Sequence, residues 1–220
     1  MSILYKLPEF LPSNEVLWQE GDYTFVVGPN GSGKTLLLNK MAEWAESHNY
    51  SYSFYDAMTS LELAPILMEQ ASDEDIIFVA KMFMEFSGDF KDDVFNWTKA
   101  KNGHTVDQIG PIGGDADLLR EIFKMSGSGY SRLFVMLYMA IDEGMGTEYY
   151  FLDMPEASLH IHLARYVLQI LMRNFPYTKF VITTHSPDII DDRWDTNHII
   201  EMKSEYIKDC QNHKWDEIFS

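Results

Sequence analysis

The residues best suited to chemistry in this chain form a glycine-rich segment, Gly28-Pro-Asn-Gly-Ser-Gly-Lys-Thr35. Its spacing matches the phosphate-binding pattern G-x-x-x-x-G-K-[ST], in which glycines let the backbone wrap phosphates and aim N–H groups inward. In such a loop the lysine reaches the β and γ phosphates, and the final hydroxyl binds Mg²⁺. We therefore predict phosphate contacts from Lys34 and a magnesium ligand at Thr35. The full set of predicted phosphate-binding residues in the loop is Asn30, Gly31, Ser32, Gly33, Lys34 and Thr35.

The sequence on either side of this loop predicts the elements that must position it. Residues 23–27, Tyr-Thr-Phe-Val-Val, are typical of a short buried strand. Residues 36–47 carry apolar side chains at helical spacing and predict a helix. The loop would then lie at a helix N-terminus, where the dipole and the N–H groups attract phosphate.

Two later strands end in polar side chains that suit a nucleotide site. Tyr149-Tyr-Phe-Leu-Asp153 ends in a carboxylate, and we predict that Asp153 holds Mg²⁺ through water beside the loop. Phe180-Val-Ile-Thr-Thr-His185 ends in a histidine, which we expect to contact the γ phosphate or to position the attacking water. Because ligands bind at the carboxyl ends of parallel strands, the carboxylate and the imidazole should lie near the loop.

A third segment, Met125-Ser-Gly-Ser-Gly-Tyr130, consists mainly of small residues and precedes a predicted helix over residues 130–142. Small residues before a helix start form an anion site. We predict that this segment contacts phosphate on a nucleotide held by a partner subunit. A flexible helix entry is the simpler alternative.

The predicted strands and helices alternate, which is typical of a parallel, buried sheet and places the chain in the α/β class. We predict one domain over residues 1–220, with a β-rich N-terminal part and a helical subdomain over residues 57–125. Within that subdomain a helix should begin at Ser72 and end near residues 87–88. Other elements are predicted as helices over 92–101, 115–124 and 158–174 and as a terminal hairpin over 198–202 and 206–210.

Composition limits the partners and the compartment. The net charge is −17, and a surface this acidic repels phosphate backbones, so direct DNA binding by this chain alone is disfavoured unless a local basic patch overrides the charge. The single cysteine, Cys210, excludes an internal disulfide and fits a reducing cytoplasm. No apolar run approaches membrane-spanning length, and the start of the chain lacks the residue order of a signal peptide. We therefore expect a cytoplasmic protein without a membrane segment.

The order of these motifs resembles that of the ABC-type ATPase family: phosphate loop, helical region, Ser/Gly signature, aspartate-terminated Walker B strand, and Thr-His after a last strand. Asp153-Met-Pro-Glu-Ala-Ser-Leu-His160 and Thr183-Thr-His-Ser-Pro187 are similar to segments of its soluble SMC/OLD-like branch. The resemblance covers residues 23–47 and 125–187, whereas residues 57–110 carry no motif that can be placed. It implies a P-loop NTPase fold of the ABC-ATPase kind.

The resemblance also implies ATP and Mg²⁺ as cofactors and a head-to-tail homodimer that closes around two ATP molecules. Each ATP would lie between residues 28–35 of one subunit and the Ser/Gly segment of the other. Two registers of that segment remain open. One makes Ser126 the phosphate contact, and the other makes it Ser128, with Gly129 beside it; we favour Ser128 slightly.

The chain departs from the family pattern at the residue after Asp153. The family usually has a glutamate there, which polarises the attacking water, whereas this chain has Met154. A thioether cannot accept a proton or orient water well. Glu156 is a candidate substitute, or Asp153 and His185 suffice. The predicted catalytic residues are Asp153, Glu156 and His185, and we expect slow hydrolysis and a long-lived ATP-bound dimer.

The leading functional hypothesis is an ATP-binding, slowly hydrolysing ATPase that serves DNA maintenance or anti-phage defence with a separate effector protein. The chain between Lys34 and Ser128 is too short for the long coiled-coil arms of SMC-type relatives, and no heptad pattern is sustained. One alternative is a non-hydrolysing, nucleotide-gated scaffold or sensor, which Met154 favours. Another is the ATPase subunit of a membrane transporter.

Overall fold

A computed structural model of the chain describes residues 3–6, 15–18, 23–86, 116–125, 128–141, 146–159, 161–186, 189–190 and 197–202. The strands are β1 (Ile3–Lys6), β2 (Glu15–Trp18), β3 (Tyr23–Val27), β4 (Tyr52–Asp56), β5 (Tyr149–Asp153), β6 (Lys179–Thr184) and β7 (Asn197–Glu201). The helices are α1 (Lys34–Ser47), α2 (Ser60–Gln70), α3 (Asp73–Phe86), α4 (Ala116–Met125), α5 (Ser128–Tyr138) and α6 (Ile161–Asn174). A 3₁₀ turn, Pro155–Ser158, lies between β5 and α6.

The strands that carry the predicted site belong to one five-stranded sheet with the order β4-β5-β6-β3-β7. All four strand pairs in this sheet are parallel. β5 and β6 are buried at every position, as expected for strands that are covered on both faces. β1 and β2 form a separate antiparallel pair. This arrangement confirms the predicted α/β class with a mainly parallel central sheet.

Helices cover both faces of the sheet. Successive residues of each strand point to opposite faces, so each strand contributes apolar side chains to both layers. On one face, the buried side chains of α1 pack against Val26, Phe151 and Val181. On the other face, Phe25 and Ile182 belong to a larger core that includes residues of α2 to α6. Burial of these two apolar layers is the main favourable contribution to folding. It holds the carboxyl ends of β3, β5 and β6 side by side at one edge of the sheet.

The described part of the predicted helical subdomain consists of α2, α3 and α4, and Arg120 joins these three helices. Its Nε and Nη2 donate to the carbonyl oxygens of Met68 and Ala71 at 3.1 and 2.8 Å. Its Nη1 lies 2.8 Å from the carboxylate of Asp73. The guanidinium therefore fixes the corner between α2 and α3. The subdomain boundaries stay a prediction, and the helix predicted over residues 92–101 lies outside the described residues.

Several element ends differ from the predicted ones. The helix predicted from residue 158 begins at Ile161, because Pro155–Ser158 first forms a tight 3₁₀ turn. The helix predicted over residues 130–142 is shorter and begins two residues earlier, at Ser128. β7 pairs in parallel with β3, and the second strand of the predicted hairpin, residues 206–210, lies outside the described residues.

The start of α3 agrees with its prediction. Ser72 Oγ accepts a hydrogen bond from the backbone N–H of Asp75 at 3.1 Å, which is the contact that a serine makes at a helix N-terminus. The helix then runs from Asp73 to Phe86. In the part of the chain that the structure describes, no helix is long and apolar enough to cross a membrane.

Candidate nucleotide site

The glycine-rich segment forms the turn between β3 and α1. α1 begins at Lys34, and Gly33 before it has φ 89° and ψ 13°, a left-handed conformation that glycine adopts without strain. Gly28 is required for space, because a Cβ there would lie 2.4 Å from the carbonyl oxygen of Met202. The N–H of Met202 donates to the carbonyl oxygen of Val27 at 2.7 Å. The base of the loop is therefore held by the ends of two adjacent strands, β3 and β7.

Lys34 is buried, and the loop itself satisfies its ammonium group. Nζ donates to the carbonyl oxygens of Gly28 and Pro29 at 2.8 and 3.0 Å. Burial lowers the pKa of Lys34 below its usual value, and the carboxylates of Asp153 and Glu156 oppose that shift. Lys34 is thus within electrostatic reach of two of the predicted catalytic residues.

Thr35 and Asp153 are in contact although 118 positions separate them in the sequence. Thr35 Oγ1 donates to Asp153 Oδ2 at 2.9 Å, and the other carboxylate oxygen accepts a hydrogen bond from Thr183 Oγ1. A hydroxyl and a carboxylate are oxygen ligands of the kind that Mg²⁺ prefers. Among the described residues, His, Cys, Asp and Glu side chains do not gather into a group of three or more that could hold a metal. The Thr35 hydroxyl and the Asp153 carboxylate are therefore chemically suited to hold Mg²⁺.

An open cleft of about 480 Å³ lies at the start of α1 and is lined by Asn30, Gly31, Gly33, Lys34, Thr35, Leu36 and Met154. This volume is within the range of small-molecule sites. Ser32, the remaining predicted loop residue, is buried, and its hydroxyl has no hydrogen-bond partner among the described residues. Met154 follows β5 with a left-handed backbone, φ 47° and ψ 58°, and borders the cleft from the side of the sheet. The residue after Asp153 therefore brings a thioether side chain to the border of the cleft.

Glu156 and His185 contact each other, and neither residue lines the cleft at the start of α1. The buried Glu156 uses Oε1 to accept hydrogen bonds from Thr184 Oγ1 at 2.5 Å and from the backbone N–H of His185 at 3.1 Å. His185 Nδ1 lies 3.4 Å from the same oxygen, and 44% of the His185 side chain is exposed. The structure places Glu156 as a partner of His185, and the catalytic roles of Asp153, Glu156 and His185 stay predictions.

The Ser/Gly segment lies where α4 ends and α5 begins. Ser126 lies outside the described residues, and Ser128 is the first residue of α5. Among the described residues, a Cβ added at Gly129 would meet no atom within 4 Å. The ring of Tyr130 packs edge-to-face on Phe83 at 5.8 Å between ring centres. A phosphate contact by Ser126, Ser128 or Gly129 stays a prediction.

Two threonines at the end of β6 support the site, and the sequence patterns give them no role. Thr183 donates to Asp153, and Thr184 donates to Glu156. Adjacent strand residues point to opposite faces, so two threonines in a row can reach two different carboxylates.

Asp56 ends β4 in register with Asp153. Its carboxylate accepts the N–H of Met58 at 2.8 Å and closes its own turn.

Several solved structures resemble this chain in shape. One is a nucleotide-free ATP-binding cassette from an ABC transporter, with 16% identity, a TM-score of 0.48, and coverage of 99% of this chain and 97% of that chain. A Pyrococcus furiosus protein described as an ABC transporter ATP-binding protein has 13% identity, a TM-score of 0.49, and coverage of 90% and 93%. An inward-facing metal-chelate type ABC transporter has 16% identity, a TM-score of 0.48, and coverage of 90% and 79%. No family profile and no curated protein matches the chain. Similarity at this level does not assign the chain to a family.

Proposed function

We propose that this chain is an ATP-binding, slowly hydrolysing ATPase of the ABC type that uses Mg²⁺. The observation that carries the proposal is the 2.9 Å contact between Thr35 and Asp153. Glycine-rich turns alone are common. A loop hydroxyl against a strand-end carboxylate, beside a buried lysine, is the arrangement that binding of a Mg²⁺–triphosphate requires. The open cleft at the start of α1 provides the space for the phosphates.

The residues of the loop would act mainly through electrostatics. Bound Mg²⁺ would neutralise part of the triphosphate charge, and Thr35 and Asp153 are the residues that would hold it. Lys34 would exchange the carbonyl oxygens of Gly28 and Pro29 for phosphate oxygens, because hydrogen bonds to charged acceptors are stronger. The N–H groups and the dipole at the start of α1 add to the attraction of phosphate.

We expect slow hydrolysis because the described residues that line the cleft include no good proton acceptor. Of the described residues that line it, none carries a carboxylate or an imidazole. Met154 stands at the position where the related enzymes have a glutamate, and a thioether is a poor proton acceptor. The remaining candidate bases, Glu156 and His185, contact each other outside the cleft lining. They would assist hydrolysis through His185, whose side chain is partly exposed.

We also propose that ATP draws two copies of the chain together head to tail. Gly129 lies in the first turn of α5, and a Cβ there would meet no atom of the described residues within 4 Å, which is compatible with the approach of a phosphate held by another copy. Two chains with a net charge of −17 repel each other when nothing bridges them. Donors from two subunits on one γ phosphate would therefore make association depend on ATP.

The proposed cellular role depends on the sequences of two motifs. Residues 153–160 and 183–187 are similar to the SMC/OLD-like branch, which supports a role in DNA maintenance or anti-phage defence through a separate effector protein. Met154 supports a second candidate, a nucleotide-gated sensor that binds ATP without hydrolysing it. A transporter ATPase subunit would instead co-purify with a membrane protein.

The proposal is tested by sizing the purified protein with ATP–Mg²⁺, with ADP and without nucleotide while phosphate release is measured. We expect dimers only with ATP–Mg²⁺, together with slow phosphate release. Lys34→Ala should abolish the dimer and the phosphate release. Lys40→Ala is the matched control, because Lys40 lies on the same helix and pairs with Glu43, and it should behave as the wild type.

The possible results separate the candidates. ATP-dependent dimers without phosphate release would favour the sensor over the ATPase. A wild-type chain that does not bind ATP, or a Lys34→Ala variant that binds it equally well, would refute the proposal as a whole.

A further inference from the structure

A cluster beside the phosphate cleft joins the ends of β5 and β6 through one oxygen atom. Oε1 of Glu156 accepts the hydroxyl of Thr184 at 2.5 Å and the backbone N–H of His185 at 3.1 Å. The His185 ring adds Nδ1 at 3.4 Å from this oxygen. The other oxygen, Oε2, is buried and has no hydrogen-bond partner among the described residues. Among the described residues, the hydrogen bonds to this carboxylate, which is only 5% exposed, all come from the end of β6.

This arrangement restricts the protonation of the His185 ring. A carboxylate accepts hydrogen bonds and donates none, so this contact favours the form of the ring that carries its proton on Nδ1. In a neutral imidazole the other nitrogen, Nε2, is then the acceptor. A separation of 3.4 Å is long for a hydrogen bond, but such contacts tighten when a catalytic complex forms. The 44% exposure of His185 leaves its ring accessible to a ligand or to water.

We propose that Glu156 is a positioning residue that holds His185 in its Nδ1–H form, so that Nε2 serves as the proton acceptor that Met154 cannot be. The inference rests on the ATPase function proposed above and names the base for it. Glu156 acts through His185 and does not contact the water itself, because its carboxylate is only 5% exposed whereas 44% of the His185 side chain is exposed.

The proposed hydrolysis step needs no reactant besides ATP, water and the His185 ring. Nε2 of His185 takes a proton from the attacking water while the water oxygen bonds to the γ phosphorus. The bond from that phosphorus to the β–γ bridging oxygen breaks, which leaves ADP and inorganic phosphate. The partly exposed imidazolium then releases its proton to solvent.

Glu156→Gln tests the proposal with little change of shape. The amide oxygen can still accept the Thr184 hydroxyl and the His185 N–H, but the negative charge is gone. Histidine-selective ¹⁵N NMR shows which ring nitrogen carries the proton, and the His185 signal is identified by its loss in His185→Gln. We expect the Nδ1–H form to predominate in the wild type and to decrease in Glu156→Gln. Glu62→Gln, which removes an exposed charge on α2, is the matched control and should leave the signal unchanged.

The kinetic expectation separates positioning from a structural role. Glu156→Gln should slow single-turnover hydrolysis at least about tenfold while ATP affinity changes less than about twofold, because only the transition state uses the base. The double variant Glu156→Gln/His185→Gln should be no slower than His185→Gln alone, because Glu156 acts only through His185.

Three results would overturn the inference: an Nε2–H form in the wild type, a tautomer that Glu156→Gln leaves unchanged, or a further loss of rate in the double variant. ATP binding by the wild type without phosphate release would refute the proposed hydrolysis instead. In that case the NMR result alone decides whether Glu156 orients His185.

Discussion

Replacement of Met154 by glutamate should raise the rate of ATP hydrolysis. Met154 borders the cleft together with Lys34 and Thr35, so a carboxylate on a side chain of similar length would reach the same space. The backbone at Met154 is left-handed, with φ 47°. Methionine and glutamate are both unbranched at Cβ, so the exchange leaves that strain about unchanged. The substitution therefore changes the chemistry of the position more than its conformation.

The expected gain is moderate. A well-placed general base accelerates proton transfer roughly 100- to 10,000-fold, and we expect about 10- to 100-fold for Met154→Glu. The gain is reduced because the new carboxylate would join Asp153 and Glu156 near a single ammonium group, that of Lys34. Like charges at close range raise the pKa of a carboxyl group and oppose the binding of a triphosphate. The KM for ATP should accordingly rise.

The assay is single-turnover phosphate release at saturating ATP–Mg²⁺, which separates the chemical step from ATP binding. Met154→Gln is the matched control, because glutamine has the same length and a polar end but accepts no proton. Thermal unfolding of both variants shows whether the fold is kept. If Met154→Glu is no faster than Met154→Gln while both remain folded, the thioether is not what limits hydrolysis.

Other parts of the structure give equally direct expectations. Asp153→Asn should weaken Mg²⁺-dependent ATP binding roughly 10- to 100-fold in an ATP titration, because the charge opposite Thr35 is lost; an unchanged Mg²⁺ dependence would exclude Asp153 from the metal site. Arg120→Met should lower the free energy of unfolding by about 2–4 kcal/mol in urea, because two helix-end carbonyls lose a charged donor, and Arg120→Lys should recover only part of it. Stability should fall as pH rises above 10.0, because burial raises the pKa of Tyr150 well above that value, so that the unfolded chain loses the phenol proton first. Tyr150→Phe should flatten this alkaline fall in thermal unfolding; an unchanged slope would assign it to other groups.

The sheet and the phosphate loop could be predicted from the sequence because their signals are local. The strand predicted over residues 23–27 has the same bounds in the structure, since an apolar run of five residues between turn signals leaves little choice of where the strand begins and ends. The helix after the loop begins at Lys34, within two residues of its predicted start. Alternation of such strands with amphipathic helices was sufficient to indicate the parallel sheet.

The contacts that hold the site and the helices in place could not be predicted, because they join residues that are distant in the sequence and no local pattern encodes them. Glu156 follows a left-handed residue, Met154, and methionine has no preference for that conformation, so the course of the chain that brings Glu156 to His185 could not be predicted. The bonds from Arg120 to Met68 and Ala71 span 52 and 49 positions and follow from how three helices pack. The position of Arg120 in the sequence does not reveal which carbonyl groups its guanidinium will contact.

Gly28 bears no side chain because the main chain at Met202 occupies the room that a methyl group would need. The backbone N–H of Met202 also donates a hydrogen bond to the carbonyl oxygen of Val27, the residue before Gly28. A displacement of the backbone at Met202 would therefore act directly on the start of the glycine-rich turn, because main-chain atoms of Met202 make both contacts. Such a shift of the backbone at Met202 would change the position of the turn in which the triphosphate is proposed to bind.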